Sequence, residues 1–224
     1  MRGAPGGSRS AGPRADDPRV VRSRAAIVEA ARMLFLRQGY AGTTMDEIAA
    51  QAGLAKRTVY NNFADKEALF TQIVEETTAY AEEFARGLQR ELAGGITAAN
   101  LKATLDDLGR RLAVAVVRSE VIALRRLLIG EAREFPELAA GYFDRAPGQV
   151  LDALASGFGR LARAGLLRVA DARQAAAQFA YLVVGEPLDR AVLVGTIPPQ
   201  EHLVAGAREG VETFLARFES RSRR

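Results

Sequence analysis

The sequence predicts an all-α protein built in two helical parts. Apolar residues recur three and four positions apart along most of the 224 residues, which is the period of an amphipathic helix. No stretch alternates persistently between apolar and polar residues, as a half-buried strand would. Glycine and proline divide the periodic stretches into segments of helical length. With 48% hydrophobic residues, the chain can bury one sizeable core or two smaller ones.

The first helix is predicted to begin at Pro18 and to end at Gly39. Proline is favoured in a first helical turn, and Asp16 or Asp17 can cap it. Between these limits, the residues that form one apolar stripe are Ile27, Val28, Ala31, Leu34 and Phe35.

Residues 43–63 predict two short helices joined by a tight glycine turn. Thr44 and Glu47 have the spacing of a capping box, in which each side chain accepts from the other residue's backbone N–H. Met45, Ile48 and Ala49 follow on one helical face. Gly53 stands where the first helix must end, at the position that favours a left-handed residue.

The second short helix is too polar on its outer face to be only a core element. It begins near Ala55 or Lys56, and its inward side chains are Val59 and Phe63. Such a pair of helices is a helix-turn-helix, whose second helix lies in the major groove of DNA. Cationic and hydroxyl side chains then meet phosphates, while other polar groups meet base edges. The predicted DNA-binding residues are Thr43, Thr44, Lys56, Arg57, Thr58, Tyr60, Asn61 and Lys66.

The distribution of charge agrees with duplex DNA as the partner. Residues 1–66 contain eleven cationic and six acidic side chains, a net charge of +5, whereas the remainder carries −1. Binding to phosphates needs excess positive charge at the DNA-binding end. Residues 1–17 are rich in Gly, Pro, Ser and Arg and are expected to form a disordered basic arm. Three arginines in that arm would follow the minor groove or touch the DNA backbone, or they would have no specific role: Arg2, Arg9 and Arg14.

The rest of the chain predicts one helix after another. A long helix from Asp65 is broken at Gly94-Gly95. The next helices are expected over 97–117, over 120–135 before Pro136, and over 147–164 before Gly165. Asp171 starts a further helix, which Pro187 either kinks or divides because proline has no N–H to donate. The last helix is expected over 199–218.

Composition argues against several other classes of protein. There is no cysteine and only one histidine, so neither a disulfide framework nor a metal cluster is expected. Ser156 has no histidine partner, the carboxylates over 131–144 have the spacing of a solvated surface, and Gly157-Phe158-Gly159 lacks the context of a phosphate-binding loop. No catalytic residue or cofactor is therefore predicted. Neither a membrane span nor a secretory signal is predicted from the sequence, and a cytoplasmic location is expected.

Residues 39–69 contain a long pattern with the correct spacing on both flanks of the two helices: Gly39-Tyr40-x-x-Thr43-Thr44-x-x-x-Ile48-Ala49-x-x-Ala52-Gly53-Leu54-x-x-x-Thr58-Val59-Tyr60-x-x-Phe63-x-x-Lys66-Glu67-x-Leu69. With this pattern, residues 20–80 resemble the TetR family of transcriptional regulators. The resemblance covers about a quarter of the chain. Family members usually have Ser or Thr where this chain has Ala55, so an N-cap and one possible phosphate contact are missing.

The resemblance implies that the chain has two domains with different functions. After the arm over 1–17, residues 18–66 would form a three-helix DNA-binding domain, and residues 67–224 a larger helical domain that binds an effector and dimerises. Segments 171–195 and 199–218 would pair with their copies in a homodimer. Small residues would allow close helix approach there, although the same residues suit an intramolecular core: Ala172, Ala175, Ala176 and Ala180.

The resemblance also implies a ligand cavity in the larger domain. Tyr80 or Tyr181 would be its polar handle, and its scarcity of charge favours a mostly apolar or aromatic effector. An inward-facing Asp106 or Glu186 would reverse that preference. The expected lining residues, each of which also suits a filled core, are Leu108, Leu112, Val116, Leu127, Phe158, Phe179 and Val183.

The expected function is a ligand-responsive regulator, commonly a repressor, that binds a palindromic operator as a dimer and is released by a small effector. Two alternatives remain open at this point. One is a DNA-binding dimer without an effector, and the other is a helical interaction module that does not bind DNA.

Overall fold

The computed structural model describes residues 17–220, which form an all-α protein. Within this range no strand forms, and one isolated antiparallel bridge joins Leu167 to Glu219. The expected basic arm lies outside the described residues, apart from Asp17. The helices are α1 Pro18–Gln38, α2 Met45–Ala52, α3 Lys56–Asn62, α4 Lys66–Glu91, α5 Leu101–Val116, α6 Ser119–Glu131, α7 Pro136–Phe143, α8 Gln149–Arg163, α9 Ala172–Val194 and α10 Gln200–Phe218, with a π-helical turn Asp144–Gly148 before α8.

The described residues up to Gln72 form one compact unit, which contains α1, α2, α3 and the first residues of α4. Asp17, one of the two residues predicted to cap α1, accepts from the backbone N–H of Arg19 at 2.8 Å. The whole predicted stripe of α1 is buried. The rings of Phe35 and Phe70 pack edge-on with centroids 6.0 Å apart, which joins α1 to the start of α4.

The residues from Ile73 onward form a second compact unit. Its core contains residues from α4, α5, α8, α9 and α10. Phe158, Phe179 and Phe214 form an aromatic cluster at the centre, with ring centroids 5.0–5.4 Å apart. Backbones also approach closely: a Cβ at Gly210 of α10 would lie 2.6 Å from the carbonyl oxygen of Leu182 on α9. Glycine at that position is therefore a packing requirement.

The structure corrects the predicted start of α5. The helix begins at Leu101 rather than at Thr97, because Asn100 forms a local turn ahead of it. Its Oδ1 accepts from the backbone N–H of Thr97 at 2.7 Å, and its Nδ2 donates to the carbonyl of Gly95 at 2.9 Å. Asparagine side chains compete with helical hydrogen bonds in this way.

Pro136 acts differently from the prediction, and one of the two alternatives predicted for Pro187, that it divides its helix, is wrong. Helix α6 ends at Glu131, and Pro136 begins the unpredicted helix α7 rather than merely following a helix end. Proline suits a first helical position because its missing N–H would have no intrahelical partner there. Pro187 does not divide its helix, since α9 runs from Ala172 to Val194. Buried side chains on both sides of Pro187 hold that helix in place.

Candidate nucleic-acid interface and ligand cavity

The first helix of the helix-turn-helix is fixed by the predicted capping box. The backbone N–H of Glu47 donates to Thr44 Oγ1 at 3.2 Å, and that of Thr44 donates to Glu47 Oε2 at 2.8 Å. Hydrogen bonds from the Thr44 backbone and hydroxyl hold the pKa of the Glu47 carboxyl below its ordinary value. Gly53 closes the helix with φ 66° and ψ 30°, in the left-handed region. Both predictions are confirmed.

Helix α3 has an exposed polar face and, on its opposite side, buried apolar side chains. Val59 and, just after the helix, Phe63 are buried, as predicted. Arg57, Tyr60 and Asn61 are exposed, and residues three and four apart lie on the same helical face. Tyr60 is 52% exposed, although it is a large aromatic side chain. Such a face can reach base edges and phosphates.

The N-terminus of α3 has no side-chain cap. Ala55 occupies the cap position with φ −63° and ψ 140°, and its methyl group cannot accept a hydrogen bond. Lys56, in the first turn, instead donates to Asp46 Oδ2 of α2 at 2.7 Å. This hydrogen bond is the main cause that raises the pKa of Lys56. Both side chains remain exposed, so the pair can exchange with a phosphate.

The other predicted DNA-binding residues differ in position. Thr43 is buried, and its hydroxyl donates to the Gly39 carbonyl at 2.8 Å, so it supports the connection before α2 instead of facing outward. Thr44 is exposed at the cap of α2, and Thr58 is half-buried on α3. Lys66 is half-buried and already donates within the unit. The structure therefore brings a subset of the predicted residues to one surface.

Arg24 stabilises the end of α3, a role that was not predicted from the sequence. Its guanidinium donates to the carbonyl of Asn62 at 3.2 Å and to Gln72 Oε1 at 2.7 Å. It also lies 4.2 Å from the centroid of the Phe63 ring. These contacts fix the end of α3. The only signal in the sequence is that Arg24 continues the apolar stripe of α1 at helical spacing, three residues before Ile27.

The second unit contains a cavity of about 120 Å³ between its helices. Tyr80, Phe143 and Tyr181 are exposed at its edge. The wall is largely apolar, and the hydroxyl of Thr77 is occupied by donation to the Ile73 carbonyl at 3.2 Å. The lining residues are Thr77, Tyr80, Ala81, Phe84, Leu112, Ala115, Val116, Val121, Arg125, Tyr142, Phe143, Ala146, Pro147, Val150, Leu151, Ala180, Tyr181, Val184 and Leu188.

The cavity lies to one side of the predicted lining. Leu112 and Val116 line it, together with both candidate polar handles, Tyr80 and Tyr181. Asp106 and Glu186 do not line it; they pair with Lys102 and Arg190 respectively. Of the other predicted lining residues, Leu127 is buried on α6 outside the cavity wall, and the packed core holds Leu108, Phe158, Phe179 and Val183.

Comparison with known proteins covers both units. Residues 27–73 match the family described as bacterial regulatory proteins, tetR family. Residues 103–220, more than half of the chain, match the C-terminal domain of AefR-like transcriptional repressors. The chain belongs to the TetR family of transcriptional regulators. Its all-α fold, with an N-terminal helix-turn-helix domain and a C-terminal helical domain, is that of TetR-family structures.

Individual proteins resemble this chain over different lengths. A protein from Mesorhizobium loti, described as a TetR-family transcriptional regulator, is 31% identical, with 91% of this chain and all of that chain covered and a TM-score of 0.77. The flavonoid-responsive regulator FrrA is 30% identical, with 90% of this chain and all of that chain covered and a TM-score of 0.67. The repressor AcnR of Corynebacterium efficiens is 35% identical over 63 residues, which are 28% of this chain and 34% of AcnR. The match to YerO of Bacillus subtilis spans 24% of that protein.

Between residues 17 and 220, no helix is both long enough and apolar enough to cross a bilayer.

Proposed function

We propose that this TetR-family protein is a ligand-responsive repressor that binds a palindromic operator as a homodimer. The observation that carries the proposal is the exposed face of Arg57, Tyr60 and Asn61 on a helix held from behind by Val59 and Phe63. A rigid helix with polar side chains on one exposed face is what major-groove binding requires.

The proposed DNA contacts divide into two kinds. Arg57 and Asn61 would contact base edges, since arginine pairs with guanine and asparagine with adenine. Thr44, Thr58 and Tyr60 would contact phosphates with their hydroxyls, and Lys56 and Lys66 with their ammonium groups. Phosphate contacts position a protein on the duplex without selecting its sequence. Thr43 is excluded from this set because its hydroxyl is used inside the unit.

Dimerisation through α9 and α10 is supported by exposed apolar residues near the end of α9. Three of the four alanines expected in the interface, Ala175, Ala176 and Ala180, are buried in the chain's own core. The outward residues near the end of α9 are larger: Leu193 is 79% exposed and Val194 is 68% exposed. A twofold dimer would bury such a face and would repeat α3 one DNA turn away, about 34–36 Å.

Effector control is supported by the course of α4. This helix begins at Lys66, within the N-terminal unit, and contributes Thr77, Tyr80, Ala81 and Phe84 to the cavity in the second unit. A ligand that prefers one pose of α4 would change the separation of the two α3 helices in the dimer and weaken operator binding. FrrA, which is similar over most of the chain, is described as flavonoid-responsive, which supports an aromatic effector here.

Operator binding measured with and without ligand tests this proposal. Fluorescence anisotropy on a selected duplex should give an affinity that falls with salt and with added effector. Unchanged operator affinity with a ligand bound would favour a dimer without effector control. Filling the cavity by Ala115→Phe gives a matched variant, which should lose the effector response. Absence of any salt-dependent duplex binding would instead favour an interaction module.

A further inference from the structure

Among the described residues that line the cavity, Arg125 is the only charged one. It lies on α6, and its Nε is buried without a hydrogen-bond acceptor in the part of the chain that the structure describes. The guanidinium carbon lies 5.9 Å from the centroid of the Tyr142 ring. Across residues 17–220, Arg125 forms no ion pair. An incompletely paired cation in an apolar wall is unfavourable, because burial removes its hydration.

Other arginines of the same unit are paired with carboxylates. Arg145 lies 2.9 Å from Glu82, Arg173 lies 2.9 Å from Asp152, and Arg190 lies 2.7 Å from Glu186. These pairs are on the surface, where water already stabilises each charge. Arg125, which faces the cavity, therefore has a greater need for an anion than these three arginines and lacks one.

The tyrosine beside Arg125 does not supply that anion. Burial raises the pKa of the Tyr142 phenol, although the nearby Arg125 guanidinium opposes the increase. Tyr142 is therefore a neutral phenol at neutral pH. Tyr80 and Tyr181 also line the cavity, and phenols can donate to a ligand oxygen without carrying charge.

We propose that the effector is an apolar monocarboxylate whose carboxylate binds Arg125 and whose hydrocarbon body fills the cavity. This inference rests on the proposed function and narrows its ligand class. A guanidinium matches a carboxylate in a bidentate, planar pair. In size, the cavity of about 120 Å³ is close to an engineered cavity of about 150 Å³ that binds benzene, so one ring fits. The proposed effector therefore keeps the apolar body expected from the sequence and carries one anionic group in addition.

Isothermal titration of the full chain with matched probes tests the charge requirement. The probes are benzoate, phenylacetate and 3-phenylpropanoate, each paired with its uncharged amide. At least one carboxylate should bind, and its amide should bind roughly ten- to a hundredfold more weakly, as expected for loss of a charged hydrogen-bonded pair. Equal binding of acid and amide, or binding of none of the carboxylates, would overturn the proposal.

Variants of two neighbouring arginines identify the residue responsible. Arg125→Gln should weaken carboxylate binding by the same factor and leave the amide affinity little changed. Arg125→Lys, which keeps the charge but loses the planar fork, should be intermediate and also serves if the glutamine variant does not fold. Arg126→Gln removes one exposed charge outside the lining and is the control. Carboxylate affinity that is insensitive to Arg125 would contradict the proposal.

A parallel measurement separates this inference from the proposed function. Operator affinity is determined for the wild-type chain with and without the carboxylate that binds best. Release of DNA by the carboxylate supports both the carboxylate site and effector control. Binding through Arg125 without any change in operator affinity would leave the carboxylate site in place and overturn effector control. Release of DNA by amides and carboxylates alike would support effector control and overturn the anionic requirement.

Discussion

The ammonium of Lys66 is bound to Tyr40 in two ways. Its Nζ donates to the Tyr40 carbonyl at 2.7 Å and lies 4.2 Å from the centroid of the Tyr40 ring. The same carbonyl accepts from the backbone N–H of Thr43 at 3.2 Å. The first residue of α4 is thereby tied to the connection between α1 and α2. A lysine proposed to contact a phosphate therefore also stabilises the unit that carries α3.

Lys66→Met should lower the free energy of unfolding by about 1–3 kcal/mol, because the hydrogen bond and the cation–π contact are lost. It should also weaken DNA binding for all sequences. Urea denaturation measures the free energy of unfolding. Lys56→Met is the control, since its exposed ion pair with Asp46 should contribute little to stability. Equal stability of the two variants would show that the Tyr40 contacts are energetically unimportant.

Ala55→Ser should stabilise the chain. Ala55 has the extended backbone of an N-cap but no side-chain acceptor, and serine there typically contributes about 1 kcal/mol. Thermal unfolding gives the change. Ala50→Ser is the control, because Ala50 is exposed within α2 and cannot cap a helix end. A gain of the same size at both positions would mean that capping is not the cause.

Gly210→Ala should destabilise the second unit by about 1–3 kcal/mol or more, as overpacking does. The added Cβ would lie 2.6 Å from the Leu182 oxygen and 2.8 Å from its carbonyl carbon, both of which are backbone atoms. Gly87→Ala, within α4 and with no atom within 4 Å of the added Cβ, should stabilise by up to about 1 kcal/mol. Opposite signs in urea denaturation are the expected result; stabilisation by both would contradict the close approach of α9 and α10.

Leu193→Asp should convert the proposed dimer to a monomer in sedimentation velocity. Leu193 is exposed on α9, and a carboxylate buried between two copies would lose its hydration. Ile129→Asp changes an exposed apolar residue on α6 and should leave the association unchanged. If Leu193→Asp remains dimeric, the interface lies elsewhere.

Two substitutions on α3 should have different effects on DNA binding. Tyr60→Phe removes one proposed phosphate contact and should weaken binding similarly for all duplexes, without changing the dependence on salt, because the hydroxyl is neutral. Arg57→Ala should relax the preference at one base pair in each half-site, by about 1–3 kcal/mol. Affinities over a panel of single-base operator variants distinguish the two. A base-specific effect of Tyr60→Phe would contradict its assignment.

The helix-turn-helix could be predicted from sequence because its signals are local. The Thr44–Glu47 capping box spans four residues, and Gly53 marks a backbone conformation that few other residues adopt. The helix after Pro136 was missed for the converse reason. Proline fits both the position beyond a helix end and the first turn of the next helix, so the residue alone does not distinguish the two.

The cavity could be predicted only in part, because periodicity does not separate a cavity wall from a filled core. Leu108 and Leu112 are four residues apart on one face of α5, yet only Leu112 lines the cavity. The difference depends on which distant helices pack against each residue. Arg125 gave no signal for the same reason, since its burial against Tyr142 arises from the approach of α6 to α7.

Selection of bound duplexes from a random pool tests whether the chain binds a palindromic operator as a dimer. We expect enrichment of an inverted repeat, with half-sites about one or a small multiple of a helical turn apart and with bound complexes containing two copies of the chain. Recovery of no enriched sequence at low salt, or of a single half-site without symmetry, would contradict it.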